Sequence, residues 1–349
     1  MGRGTAVAAG AGATPYDTSP PPEPVPGDDV GGYRLKGLAG QGGFGKVYLA
    51  ERGGHRYALL LLPLPAMLLG AFTAWRSGAP AGAFILNAAA AALGAGVAVL
   101  LGRQPGLTLP RAATPLAVIA ILVTASTLLF PGLEGIHRWV ALGPVRLHAS
   151  AIATPWVLLG MSAALHQRLA VSAALALSMA AVHAAQPDAG QGTAFALAAS
   201  VLLARAQLAP WLARAVTCAG VLAMGAMAWL RPDPLAAVPH VERIVQLAAG
   251  LTPVLGAVAV LALALLLVPT VPGITVGRDL SLGLAVYLAA TLCVPALGNF
   301  PVPVMGAGAG PVLGWYLATG MLMAAARRPP GSSPPRRAPR PPRGGTLEA

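Results

Sequence analysis

Between residues 58 and 326 the chain is a succession of long apolar runs parted by short polar segments, and no other feature constrains its fold as much. Ten runs can be read, near 58–75, 80–102, 113–130, 149–166, 169–184, 191–206, 211–229, 247–268, 279–297 and 304–326. Each approaches the ~20 residues that a helix needs to cross a ~30 Å hydrocarbon core. Only 10% of all residues are charged, against roughly 25% in a soluble domain, so a soluble globular enzyme is excluded. The expected fold is an all-α, polytopic transmembrane bundle of about ten spanning helices. Prolines such as Pro253 and Pro295 fall inside runs, where spanning helices tolerate them if neighbours re-satisfy the freed carbonyls.

The scarce charges encode an orientation. With a cytoplasmic N-terminus and alternating spans, 18 of the 23 Lys and Arg residues fall on the inner side, six of them in the C-terminal tail. The outer side receives Arg76, Arg138, Arg146, Arg231 and Arg243. That asymmetry predicts N-in, C-in topology. Of the five acids between residues 60 and 326, Glu134, Asp188, Asp233 and Glu242 fall in outward loops and only Asp279 falls inside. The net charge of +12 is therefore a topology signal, and nucleic acid drops out as a partner. Cys218 and Cys293 sit inside apolar runs, which argues against a disulfide framework or a cysteine-held metal. Three segments separate by composition: a soluble stretch 1–57, the membrane region 58–326, and a Pro/Arg tail 327–349 with no apolar face to bury. No cleavable signal peptide is read in the first stretch, so the first spanning helix is expected to direct insertion.

The soluble stretch contains Gly40-Gln-Gly42-Gly-Phe-Gly45-Lys-Val47-Tyr, a full G-x-G-x-x-G-x-V pattern. Such a turn folds over nucleotide phosphates because glycines let backbone N–H groups approach them. It resembles the first hairpin of a bacterial Ser/Thr protein kinase, with Gly40, Gly42 and Gly45 as a vestigial nucleotide loop. The resemblance stops within about fifteen residues: Tyr57-Ala58-Leu59-Leu60 has leucine where that family carries its phosphate-gripping lysine, and no H-R-D or D-F-G follows. Phosphoryl transfer would lack its electrostatic parts.

The outward loops carry a second set of patterns. Gly135-Ile-His-Arg138-Trp139-Val-Ala-Leu142-Gly143 follows the third run, Gln186-Pro187-Asp188-Ala-Gly190-Gln-Gly-Thr193 follows the fifth, and Asn299-Phe-Pro301-Val-Pro303-Val-Met-Gly306 precedes the last. Each also has a structural explanation. Trp and Arg belong at a membrane interface, Asp188 is a fitting N-cap for the sixth helix, and small residues let helix backbones approach. In their order and spacing the three resemble the SEDS family (shape, elongation, division and sporulation), the FtsW/RodA-type peptidoglycan polymerases. The resemblance covers residues 58–326. It implies a protein of the bacterial cytoplasmic membrane, acting in cell-wall synthesis, division or shape. Its substrate would be a lipid-linked disaccharide precursor and its usual partner a class B penicillin-binding protein. The cofactor is unknown, with a divalent metal suggested by the resemblance alone.

The chain departs from the family where chemistry is expected. After Arg-Trp the family's Glu and Lys are replaced by His148-Ala149-Ser150-Ala151 and Thr154. The family's essential aspartate has its counterpart in Pro239-His240-Val241-Glu242-Arg243, one methylene longer, in a much shorter loop. An alternative register matches Asp233-Pro234-Leu235 to an earlier part of that loop. Glycosyl transfer requires a base near the acceptor hydroxyl and positive charge near the departing diphosphate. The catalytic candidate is Glu242, which also reads as an ordinary helix-start acid. Arg138, Trp139, Arg146, Asp188 and His240 are the substrate-binding candidates. The competing expectation is an inactive membrane scaffold or precursor-binding partner, or a membrane-tethered kinase remnant.

Overall fold

The computed structural model describes residues 24–30, 33–42, 45–103, 108–143, 145–231, 233–271 and 278–326, and it divides into two compact units, Met1–Gly54 and His55–Ala349. In the first unit β1 (Asp29–Val30), β2 (Tyr33–Gly42) and β3 (Gly45–Arg52) form an antiparallel sheet in that order. Gly40 pairs with Val47 and Gly42 with Gly45, so the glycine motif is the tip of a hairpin. Positions 43 and 44, and the Pro/Arg tail, lie outside the described residues.

The second unit is helical. Its elements are α1 (Leu64–Arg76), α2 (Ile85–Arg103), α3 (Thr108–Ser126), the hairpin β4 (Trp139–Leu142) and β5 (Val145–His148), α4 (Ala149–Ala164), α5 (Leu169–Ala185) and α6 (Ala189–Ala204). There follow α7 (Trp211–Met227), α8 (Pro239–Glu242), α9 (Ile244–Leu251), α10 (Pro253–Ala264), α11 (Arg278–Cys293) and α12 (Ala309–Ala325). Among the described residues six helical segments are long and apolar enough to cross a membrane: Tyr57–Arg76, Gly82–Arg103, Arg111–Leu129, Trp211–Leu230, Pro253–Thr270 and Arg278–Ala296. The apolar helices α4, α5, α6 and α12 are shorter and form the buried centre, where Phe195, Leu158, Met161, Met179 and Met321 are fully enclosed.

Small residues set this packing. A Cβ on Gly314 of α12 would lie 2.0 Å from the Ala151 carbonyl oxygen of α4, and one on Gly160 would lie 2.4 Å from Ala117 of α3. Close backbone approach of this kind drives helix association where the solvent itself is apolar. Pro155 lies inside α4 and has no N–H for the carbonyl four residues back, which is that of Ala151. Gly314 packs on this same carbonyl.

The run 247–268 is not one helix, contrary to its reading from apolarity. Thr252 is extended (φ −155°, ψ 147°) and its Oγ1 caps α10 by accepting from Leu255 N at 3.1 Å. Proline disfavours the α conformation in the residue before it, so Thr252-Pro253 separates α9 from α10. The last run likewise becomes helical only at Ala309, and its first residues form the loop 298–308.

Candidate functional site

Four connections meet at one end of the helical unit: the segment from α3 into the β4–β5 hairpin, the α5–α6 turn, the α7–α8 loop and the α11–α12 loop. Between them lies a cleft with roughly 540 Å³ of empty space, its open mouth included, lined among others by Arg138, Trp139, His148, Asp188, Asp233 and Glu242.

Arg138, 4% exposed, is the centre of this wall. Its Nη1 donates to Asp233 Oδ2 at 2.7 Å and its Nη2 to the Pro187 carbonyl at 2.5 Å. Its Nε lies 3.9 Å from Asp188 Oδ1 without making a hydrogen bond. One guanidinium thus ties three connections distant in sequence. A planar fork of five donors suits this task where a lysine ammonium would not.

Asp188 is 2% exposed. It caps α6, with Oδ1 accepting from Gln191 N at 3.3 Å, as expected for an acid at a helix start. Its Oδ2 is 3.4 Å from both His148 Nε2 and Ser150 Oγ. Burial raises the carboxyl pKa, but His148, Arg138 and His183 together with the Gln191 N–H outweigh it, so Asp188 titrates below its usual range. The His148 imidazole is pushed the opposite way from an ordinary histidine gaining an acid: burial lowers its pKa, Asp188 offsets part of this, and Arg138 adds to the lowering. Its ring meets Trp139 edge-on with centroids 6.1 Å apart. Beneath them Gln186 donates from Nε2 to the Thr124 carbonyl at 2.9 Å and to Thr127 Oγ1 at 2.6 Å, anchoring the α5–α6 turn on α3.

Glu242, half-buried on the opposite wall, has its pKa raised. Burial is the largest cause, Asp233 adds to it, and the Val238 N–H, Arg138 and Arg243 offset part. Its Oε2 accepts from Val238 N at 2.5 Å, the helix-start contact that an acid makes by reaching back over the first turn. Arg243 Nη2 reaches Asn299 Oδ1 at 3.3 Å. The two strands of chain on this side are stitched together by Val302 N to the Val241 carbonyl and Ala307 N to the His240 carbonyl, both 3.0 Å.

Of the residues singled out in the sequence, Arg138, Trp139, Asp188 and Glu242 converge on the cleft. Arg146 and His240 do not line it. Arg146 pairs with Ala141 on the hairpin and points to solvent, and His240 contributes its backbone carbonyl. Gly40, Gly42 and Gly45 belong to the other compact unit. Where a kinase would continue with its lysine strand, residues Gly53–Leu61 form a 3₁₀ helix.

Three contributors escaped the sequence reading. Asp233 was visible there as an outward acid and as part of an alternative register, not as a partner of Arg138, and His148 only as a departure from a pattern. Asn87 of α2 gave one available signal, a lone amide in an apolar helix. It is 1% exposed, donates to the Gly306 carbonyl at 2.9 Å and accepts from Gly308 N at 2.8 Å, fixing the loop that floors the cleft. Among the described residues no group of three or more His, Cys, Asp or Glu side chains is placed to hold a metal ion. Chemically, the cleft sets three carboxylates against one guanidinium. Asp188 and Asp233 are committed to Arg138, and Glu242 is the acid with a raised pKa beside open space.

No family model matches the chain, and no curated protein matches it by sequence. Solved structures do. The rod shape determining protein RodA of Thermus thermophilus is 21% identical, with a TM-score of 0.59 over 77% of this chain and 96% of that one. A mutant of the same protein gives 20% and 0.59 over the same shares. A chain from a study of how a peptidoglycan synthase complex coordinates polymerization and crosslinking is 20% identical, with a TM-score of 0.57 over 77% of this chain and 97% of that one. The chain therefore has the fold of RodA, a multi-span membrane fold of the SEDS type.

Proposed function

We propose that this chain is a SEDS-type glycosyltransferase of bacterial cell-wall synthesis, acting on a lipid-linked disaccharide at the outer face of the cytoplasmic membrane, with both ends of the chain inside. The observation that carries the proposal is the convergence of Arg138, Asp188 and Glu242, brought by three separate connections, on one cleft of a RodA-like fold. Glu242 is the general base. It takes the proton from the acceptor sugar hydroxyl as that oxygen bonds to the donor's anomeric carbon, and the bond to the lipid diphosphate breaks, its electron pair leaving with the phosphate. A carboxyl whose pKa is lifted toward the working pH is the better base. Arg243, leaning on Asn299 beside Glu242, supplies positive charge to the departing diphosphate, since the Arg138 guanidinium is buried and turned to Asp233 and the Pro187 carbonyl. Arg138 and Asp188 hold the walls. A crosslinking enzyme of the class B penicillin-binding type is the proposed partner, in keeping with the synthase complex among the structural neighbours.

The test is polymerisation by the purified full chain, given the lipid-linked disaccharide with and without magnesium, and glycan products resolved on a gel. Glu242→Gln should abolish chains with substrate binding retained, and the wild-type acid limb should lie above the ordinary Glu value of 4.5. One observation favours a second reading, a non-catalytic precursor-binding scaffold: the Glu242 carboxylate is engaged by its own Val238 N–H. Precursor binding without chains under any condition would establish the scaffold and end the enzyme proposal.

A further inference from the structure

The β4–β5 hairpin has two unlike faces. Cross-strand pairs alternate between them: Trp139 with His148 on one, Val140 with Leu147 on the other. The first pair lines the charged cleft. The second roofs a separate groove between α3 and α4 with roughly 740 Å³ of empty space, its open side included, whose other walls include Ile119, Val123, Ile152 and Trp156. Every side chain lining this groove is apolar. Ile119 and Val123 are 55% and 47% exposed, so it opens sideways on the face of α3, a helix able to span the membrane. An all-apolar groove that opens sideways from a spanning helix suits a hydrocarbon chain. Arg146, next to Leu147 on β5, leaves the opposite face, is exposed, and makes no hydrogen bond or ion pair among the described residues.

We infer that this groove binds the hydrocarbon chain of a phosphate-bearing membrane lipid, with Arg146 on the phosphate at the hairpin's rim. The chain lies under Val140 and Leu147, the phosphate turns the edge of the strand, and whatever the phosphate carries is delivered to the face where Trp139 and His148 border the cleft. The hairpin is then the partition around which an amphiphile folds. Only the destination of the headgroup rests on the glycosyltransferase reading; the chain site and Arg146 stand on the hairpin geometry.

The full chain in detergent is labelled with hexadecyl phosphate carrying a diazirine near the chain end, and in parallel with the matching hexadecanol probe, and adducts are mapped by mass spectrometry. Adducts should concentrate on Ile119, Val123, Ile152 and Trp156 and be competed by unlabelled hexadecyl phosphate. Arg146→Gln should lower phosphate-probe labelling about fivefold and leave the alcohol probe unchanged. Ile152→Phe should lower groove labelling by both probes while the exposed Leu212 and Val216 of α7 label as before. Groove labelling no stronger than that of α7 would reduce the site to ordinary surrounding lipid and overturn the inference. Labelling that appears only on dilution would overturn it in favour of a second copy of this chain. The readout is binding, so a wild type that labels but makes no glycan refutes the polymerase and not the groove, and the converse result refutes the groove alone.

Discussion

The helical unit carries two clusters built from the same residue types, Arg, Asp and His, at opposite ends. At the cleft, the Arg138 and Asp188 side chains are 5% and 3% exposed. At the other end, Arg205 Nε donates to Asp279 Oδ1 at 2.5 Å and His166 Nε2 meets Oδ2 at 2.8 Å, with side chains 42%, 21% and 47% exposed. The exposed cluster has the shorter contacts, yet contact length is not what ranks them. Exposed pairs gain little because water screens them and long side chains lose freedom. A buried partner that loses its counter-charge bears the whole desolvation cost. The cleft cluster is thus a structural necessity once Asp188 is enclosed, whereas the exposed one is replaceable.

The largest effect should come from removing the guanidinium. Arg138→Met leaves the enclosed Asp188 without its cationic neighbour and should cost ~3–5 kcal/mol in thermal unfolding of the solubilised protein. The Arg138→Met, Asp188→Leu double variant should recover much of it, because the orphaned charge is gone. Equal losses for Arg138→Met and Arg205→Met would break the comparison. Next comes Asn87→Leu, which strips the Gly306 carbonyl and the Gly308 N–H of their buried partner and should cost ~2–3 kcal/mol. Faster amide exchange in 298–308 would check it, with the exposed cluster unaffected.

Much of this was legible in the residues. The apolar runs fixed the helices, and Asp188 was readable as an N-cap and as a site residue at once, both of which the geometry accommodates. The Arg-Trp and Gln-Pro-Asp patterns placed two walls of the cleft. What the text could not show was who pairs with whom across 95 positions. Asp233 reads as one more loop acid until Arg138 Nη1 is seen on it at 2.7 Å. The α9–α10 break was written in Thr252-Pro253, but apolarity hid it, because hydropathy is blind to a capping hydroxyl. Arg146 was assigned to the cleft by its neighbourhood in sequence; it shares a strand face with His148 but lies two residues nearer the hairpin's turn, exposed and outside the cleft lining.

A smaller effect separates the clusters by pH. His148 has a folded pKa below 6.5, so as pH falls through 6.5 the unfolded chain takes up a proton that the folded chain refuses. Stability therefore declines with acidification in that window. Asp188, lowered from 3.8, keeps its contribution above that value and loses it only further down. His148→Asn should flatten the unfolding curve just below 6.5 and leave the loss under 3.8 in place. A slope untouched by His148→Asn would mean that the imidazole is hydrated and that the cleft cluster is less enclosed than its exposure indicates.

The smallest effect, and the sharpest control, is Asp279→Asn. It removes the acid that Arg205 and His166 share, yet both partners remain largely in water, so the loss should stay within ~1 kcal/mol. It should shrink further at 1 M salt, where the screening length falls to ~3 Å. The site of this change matters more than its size. Arg205 ends α6, Asp279 opens α11 and His166 follows α4, and the far ends of these same three helices carry Asp188, Thr291 and His148 into the cleft. If the helices act as rigid posts, neither polymerisation nor precursor binding should change with Asp279→Asn. Unchanged unfolding with altered polymerisation would instead make the exposed cluster a coupled element of the site, acting along α4, α6 and α11. In that case burial would rank the clusters by stability and fail to rank them by function.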